Sequence, residues 1–410
     1  MKVMWVCNIL LPEFAKEISE PISAGGSWMV ALAKDMSTCE EVKLVICAPY
    51  NGENIKSKKI NNIIYYAVPY KGMKEHWRHI TKNVKPDVIH IHGTEYEHAN
   101  ILIKACPDEN YVTSIQGLTS VYANHYLANL PHSVVRKYSF RDFMKRKNII
   151  KTQREWFKNA NIEREIISSV DNIVGRTTWD KACSYMINPK ANYHYCSESL
   201  RDSFYNTEWS YDECEKHSIF ISQGTYPIKG LHMAIEALPQ LVKEYPNVKI
   251  YVAGNNITKA DTFIEKLKRG YYGIYIEKLI ERKNLKDKII FLGPLSEKAF
   301  CERMKKSHVF LSPSSIENSP NSVGEAMILG VPCISSNVGG VSDMIKDKVE
   351  GFLYPFDEPY MISYYISQVF KSKELALHLS KNSKEKGKII FDRNNNLKTI
   401  INIYKEVING

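Results

Sequence analysis

Along the chain, short runs of continuous apolar residues alternate with longer stretches in which apolar positions recur at helical spacing. The runs of the first half are VMWVCNIL, KLVICAP, DVIHIHG, YVTSIQG and DNIVGRT. Those of the second are SIFISQG, VKIYVAG, KIIFLGP, HVFLSPS and VPCISSN. Each is rich in Val and Ile, and many close on Gly, Pro or Ser. Continuous apolar character suits a strand covered on both faces, so the runs predict parallel sheets with helices packed outside. Two successive series predict an α/β chain of two doubly wound, Rossmann-like domains. One large mixed sheet is the alternative. The limits read as 1–205 and 206–385, with 386–410 a C-terminal helix placed to pack back on the first domain. The change falls within 195–217, a polar stretch without the Gly/Ser composition of a loose tether, and reads as a packed hinge.

Composition narrows the class. With 410 residues, 44% apolar and 24% charged, the chain can build two ordinary cores. Its nine cysteines are scattered and form no CxxC pair, so they read as free thiols in a reducing cytoplasm rather than a disulfide or zinc framework. The start, MKVMWVCNILL, lacks a small-residue cleavage site and reads as a first strand, not a secretory signal. No run approaches the ~18 apolar residues of a membrane-spanning helix, so a cytosolic or peripheral location is expected. The net charge of +10 favours anionic partners: nucleotide diphosphates, anionic lipid or nucleic acid.

Ligands of open α/β sheets sit beyond the carboxyl ends of the strands, and the loops there carry the candidate chemistry. After HVFLSPS comes ENSPNSVGEAMILGVPCISSNVGG, residues 317 to 340. Pro320 fits the first position of a helix capped by Ser319; alternatively Ser322 caps it and Glu325 closes a capping box. Either way a helix N-terminus, with free N–H groups and a favourable dipole, follows Glu317 and suits a phosphate. Carboxylates ahead of it (Glu317) and within it (Glu325) can accept hydrogen bonds from hydroxyls on both sides of that phosphate, which is the layout of a nucleotide sugar. The plainer alternative is a solvated Glu317 and a Glu325 that only caps. Lys229, in a loop five residues after Gly224, can act as a point charge on a diphosphate, or be merely solvated. Gly25 and Gly26 at a helix entry let backbone amides approach an anion, or form a turn. His90, His92, Glu95, Glu97 and His98 invite a metal, but no open three-ligand geometry is apparent, so none is expected.

The segment with Glu317, Glu325, Gly330-Val331-Pro332 and Gly339-Gly340 resembles the signature of glycosyltransferase family 4, retaining enzymes of the GT-B fold. The resemblance extends through nearly the whole chain and implies two Rossmann-like domains facing across a cleft. By resemblance, Glu317 contacts hydroxyls of the donor sugar and Glu325 the ribose. Lys229, Gly25, Gly26 and the helix start at Pro320, Asn321 and Ser322 hold the diphosphate. Gly254 lies behind the donor and the main chain of Leu295 meets the base. The family handles the diphosphate without metal or other cofactor. Two departures stand out. Thr225 replaces an expected arginine after Gly224, leaving Arg176 as a candidate substitute. Gln116 replaces an expected histidine; an amide orients a hydroxyl but does not titrate, so it positions rather than acts as base.

Between 136 and 158 the charges of Arg136, Lys137, Arg141, Lys145, Arg146, Lys147, Lys151, Arg154 and Lys158 face only Asp142 and Glu155. Phe140, Phe143, Ile150 and Phe157 fall near one face, which predicts a basic amphipathic helix lying on an anionic membrane or an ordinary surface helix packed on its domain. No nucleic-acid motif accompanies the charge. The expected activity is transfer of a sugar, from a UDP-sugar by family frequency, to a glycan acceptor, free or lipid-linked, in bacterial surface polysaccharide assembly. The rivals are a GT-B epimerase or phosphorylase, and a non-catalytic basic binding protein of the same fold.

Overall fold

A computed structural model describes residues 1–22 and 26–410. Two compact units divide the chain, and they do not follow sequence order. The first comprises residues 1–120, 157–201 and 391–410; the second comprises 121–156 and 202–390. Boundaries fall after 201 and 390, where the sequence limits have 205 and 385, and those limits contain no crossing arm. An arm of 36 residues, 121–156, groups with the second unit although it lies between strands of the first. Alternation of strands and helices carries no signal for such a crossing.

The first unit is built on eight strands: β1 (Lys2–Val6), β2 (Lys43–Tyr50), β3 (Lys56–Ile60), β4 (Ile63–Pro69), β5 (Val88–His92), β6 (Tyr111–Ser114), β7 (Asn172–Gly175) and β8 (Asn192–Tyr195). Their order is β3-β4-β2-β1-β5-β6-β7-β8, parallel throughout except for the antiparallel β3–β4 edge. Five of the eight are the apolar runs of the sequence. Edge strands β3 and β8 escape that reading: β3 is mostly exposed and Lys-rich, as an edge that must resist further pairing requires, and β8 is a half-exposed NYHY without Val or Ile. The strands β1, β2 and β5 are almost wholly buried. The final helix, Arg393–Asn409, packs into this core through Ile400, Ile401, Ile403 and Tyr404, and the Tyr404 hydroxyl accepts a hydrogen bond from Trp5 Nε1 at 3.0 Å.

The second unit carries six parallel strands: β9 (Glu215–Ile221), β10 (Lys249–Ala253), β11 (Ile289–Gly293), β12 (Ser307–Ser312), β13 (Cys333–Ser336) and β14 (Gly351–Tyr354), in the order β11-β10-β9-β12-β13-β14. The chain leaves β9 toward β10 on one side and later returns to β12 on the other. That reversal opens a crevice at the carboxyl ends of β9 and β12, where ligands of such sheets bind.

After a short His132–Val135 helix, the single helix expected over 136–158 is replaced by two, Phe140–Met144 and Ile149–Ser168. Capping chemistry overrides the amphipathic spacing. Ser139 and Asp142 form a capping box that starts the middle helix. Arg146 takes a left-handed backbone conformation (φ 50°), and Lys147 N–H closes on the Asp142 carbonyl at 2.8 Å. Asn148 then accepts from Lys151 N at 3.0 Å and opens the next helix. Among the described residues no helix is long and apolar enough to cross a membrane.

Candidate active site

At the crevice of the second sheet, the loop after β9 brings Lys229 against Glu317, which follows β12. Lys229 Nζ lies 2.5 Å from Glu317 Oε1, with both side chains largely buried. Burial alone pulls the lysine toward neutrality, but the Glu317 carboxylate and the Tyr226 hydroxyl outweigh it and hold Lys229 above its ordinary value. The pair is therefore ionic: a cation for phosphate and a carboxylate for hydroxyls, side by side.

Glycines set both loops. Gly230, at φ 66°, presses so closely on the loop after β12 that a Cβ would stand 1.6 Å from the Pro313 carbonyl oxygen. Gly339, at φ 53°, would place a Cβ 1.9 Å from the Glu317 carbonyl oxygen, and Gly340 N–H donates to that oxygen at 3.1 Å. Ser315 N–H donates to the Ile228 carbonyl at 2.7 Å and stitches the two loops together. The arm adds two struts. Asn318 N–H donates to the Tyr122 hydroxyl at 2.9 Å, and Ser315 Oγ donates to the His125 carbonyl at 3.0 Å. Nothing in the sequence marks Tyr122 or His125 for this work, because the contact is made 190 or more residues away in the chain.

The helix after Glu317 runs Asn321–Leu329, with Pro320 as its N-cap and no side-chain cap. This corrects the sequence reading on both alternatives: Ser319 is not the cap, and Ser322 with Glu325 forms no capping box. Extended backbone at Pro320 (ψ 118°) delays the helix by one residue. Its first N–H groups lack intrahelical carbonyl partners by construction and point back toward the Glu317 loop. Ser322 lies on the first turn, its hydroxyl 3.3 Å from that of Ser222 after β9, while Glu325 is buried one turn further on. Gly224 packs on Leu231, and Thr225 faces Gly254 after β10. Gly254 N–H bonds the Gly293 carbonyl at 3.0 Å, tying that loop to the turn that carries Leu295 after β11. The structure thus gathers Lys229, Glu317 and the Pro320–Ser322 turn closely, with Thr225, Gly254 and Leu295 on loops from neighbouring strands.

The remaining candidates belong to the first unit. Gly25 lies outside the described residues. Gly26 caps the Ser27–Ser37 helix in a left-handed conformation. Gln116 follows β6, and Arg176 follows β7. Arg176 is buried and bonded to Glu198 (2.9 Å), and its Nη2 also donates to the Gln116 carbonyl at 3.1 Å. As it stands, its charge is matched by Glu198 and it braces the Gln116 turn. A second brace is Glu163, wholly buried, which accepts from Thr119 N at 2.6 Å, Thr119 Oγ1 at 2.9 Å and Ser120 N at 3.0 Å. On β5, His90 joins the Tyr404 and Ser114 hydroxyls at 2.6 Å each, while the His92 ring lies tilted beside it, centroids 4.0 Å apart, and has no hydrogen-bond partner among the described residues. Burial pushes His92 down to about 3, so both rings are neutral. Among the described residues no three His, Cys, Asp or Glu side chains are grouped to hold a metal. Glu95, beyond β5, is pushed up to about 7 by burial.

Residues 206–386 match the family model described as glycosyl transferases group 1. The chain is 27% identical over 47% of its length to an uncharacterized glycosyltransferase of Methanocaldococcus jannaschii, spanning about 45% of that relative. It is 32% identical, over 25% of its length and 26% of the relative's, to the Escherichia coli UDP-Gal:alpha-D-GlcNAc-diphosphoundecaprenol alpha-1,3-galactosyltransferase. Among solved structures, sucrose-phosphate synthase of Thermosynechococcus elongatus superposes with a TM-score of 0.71 at 13% identity, covering 99% of both chains. Anabaena HepE in complex with UDP superposes at 0.70 and 14% identity, covering 99% of this chain and 100% of that one. The chain has the GT-B fold of these glycosyltransferases, and its residues 206–386 carry the group 1 sequence pattern.

Proposed function

We propose that this chain is a retaining glycosyltransferase of family 4 that moves a sugar from a UDP-sugar to a glycan hydroxyl in the assembly of a bacterial surface polysaccharide. The observation that carries the reading is the Lys229–Glu317 ion pair at the crevice of the second sheet, directly ahead of a helix N-terminus. Lys229 and the first N–H groups of that helix take the diphosphate, so no metal is required. Glu317 accepts from donor-sugar hydroxyls and Glu325 from the ribose. Gln116 orients a hydroxyl without exchanging a proton. The acceptor oxygen bonds to the anomeric carbon on the face from which the diphosphate departs, and the acceptor proton passes to a departing phosphate oxygen. The UDP and UDP-glucose complexes of HepE, and the E. coli enzyme's UDP-galactose, support uridine as the base. The diphosphoundecaprenol in that enzyme's name supports a lipid-linked acceptor, reached from the cytoplasm through a peripheral contact of residues 136–158.

A panel of UDP-sugars incubated with glycan acceptors, with and without EDTA, tests the proposal. UDP is released only with acceptor, EDTA has no effect, and the product's anomeric configuration by NMR matches the donor's. Interconversion of UDP-sugars without UDP release would identify an epimerase instead; no consumption of any nucleotide sugar would identify a binding protein.

A further inference from the structure

The broken basic stretch walls a recess that none of the donor residues explains except at its edge. It has a volume of about 710 Å³ and lies entirely within the second unit, between the arm and residues 225–273. Such a volume suits a small ligand rather than a single ion. Thr225, Tyr226 and Pro227 form the edge nearest the donor loop, and the Tyr226 ring lies 5.9 Å from Lys229 Nζ. The recess therefore adjoins the Lys229–Glu317 pair through one shared aromatic wall.

Its chemistry is that of a phosphorylated ligand. Arg141, Lys145, Lys147, Lys259, Lys268 and Arg269 line it, against Asp142 and Glu265. Some of this charge is already matched. Lys147 pairs with Glu155, Lys259 with Glu265 at 2.8 Å and Arg269 with Glu277 at 2.7 Å. Asp142 is buried and committed to the main chain, accepting from Ser139 N at 3.2 Å and Tyr271 N at 2.8 Å; Arg141 stands 3.6 Å away. The carboxylate thereby bolts the Phe140–Met144 helix to the start of the Tyr271–Arg282 helix and makes the wall rigid. Lys145 and Lys268 have no ion-pair partner among the described residues, and Arg269 Nε is a buried donor without an acceptor. An orphaned buried donor is unfavourable unless something bonds it. Tyr126, Tyr271 and Tyr272 add aromatic faces of the kind that stack on sugar rings. On the outer side, Phe140, Phe143 and Met144 of one flanking helix and Phe263 and Ile264 of the Phe263–Lys268 helix beside it are each more than half exposed.

From this arrangement we infer that the recess binds the phosphate or pyrophosphate group of the sugar acceptor, delivered beside the donor either as a soluble sugar phosphate or as a lipid headgroup. The assignment to an acceptor rests on the proposed transferase activity. Electrostatic steering by the cations gathers the anion, and the tyrosines set the attached sugar.

The test is calorimetric titration of inorganic pyrophosphate into protein saturated with UDP, which occupies the donor's diphosphate site. Wild type takes up one equivalent, and the double variant Lys145→Ala/Lys268→Ala binds it at least 10-fold more weakly with UDP affinity unchanged. Absence of saturable pyrophosphate binding, or binding equal in the double variant, overturns the inference. Failure of UDP itself to bind would instead overturn the transferase reading, while the pyrophosphate comparison still decides the recess. A second arm floats the protein with vesicles of phosphatidylcholine and phosphatidylglycerol. Flotation that pyrophosphate abolishes assigns the bound group to a lipid headgroup; wild-type pyrophosphate binding without flotation assigns it to a soluble acceptor. Flotation with no pyrophosphate binding overturns the recess in favour of a plain membrane contact.

Discussion

Glu317 and Lys229 neutralise one another before any donor arrives, and this shapes what their removal does. Glu317→Gln frees the lysine for phosphate while replacing the charged acceptor for sugar hydroxyls with a single neutral amide oxygen. Turnover falls by roughly 30- to 1,000-fold, as expected when a charged hydrogen bond made in the transition state is lost at about 2–4 kcal/mol. UDP affinity by calorimetry stays equal or tightens. Weaker UDP binding would show that the carboxylate holds the nucleotide rather than the sugar. Glu95 offers a pH signature in the first unit. Burial raises its folded-state pKa to about 7, above the ordinary carboxylate range, so the native state holds its proton more tightly than the unfolded chain. Its stabilising contribution is complete below about pH 4.5 and is lost as pH rises through 7. Thermal unfolding at pH 5 and pH 8 checks this: Glu95→Gln gains stability relative to wild type at the higher pH. Parallel melting curves at both would contradict it.

At the scale of elements, the site is made by turns that only glycine fits. Gly339→Ala forces a Cβ toward the Glu317 carbonyl and a left-handed backbone that costs about 1–2 kcal/mol for an alanine. The predicted outcome is a melting point a few degrees lower and a disproportionate loss of turnover, since the displaced residue is Glu317. Loss of stability with normal turnover would separate the turn from the chemistry. These elements also show what a sequence reveals. Most buried strands are legible because continuous Val and Ile runs have few other uses, but the largely buried β4 and β14 are not, since tyrosines interrupt the first and the second has only four residues, GFLY. Lys229 and Glu317 were legible as candidates because each sits in a loop after such a run. The edge strands β3 and β8 were not, since neither carries such a run. In the basic stretch the helical spacing points to one helix, while the capping chemistry of Ser139, Asp142 and Asn148, equally present in the sequence, breaks it. Tyr122 and Glu163 were beyond reach, since their partners come from turns that only the tertiary fold brings near.

For the molecule as a whole, the division into units places an arm that follows β6 of the first sheet onto the Glu317 loop of the second, through Tyr122 and His125. Tyr122→Phe removes the acceptor for Asn318 N–H while keeping the ring beside Trp156, and is expected to lower turnover several-fold with little change in melting temperature. Unaltered kinetics would make the strut merely structural. The central claim is that the crevice at β9 and β12 holds a donor diphosphate. Calorimetric affinities of UDP and uridine for wild type and Lys229→Ala test it most directly. Loss of a charge-assisted phosphate contact, worth about 1.5–3 kcal/mol, predicts UDP binding weakened by roughly 10- to 150-fold. Uridine, which lacks phosphate, is predicted to bind the variant within about 2-fold of wild type, because Lys229 acts on phosphate as a point charge. Equal losses for both ligands, or no loss for UDP, would contradict the claim.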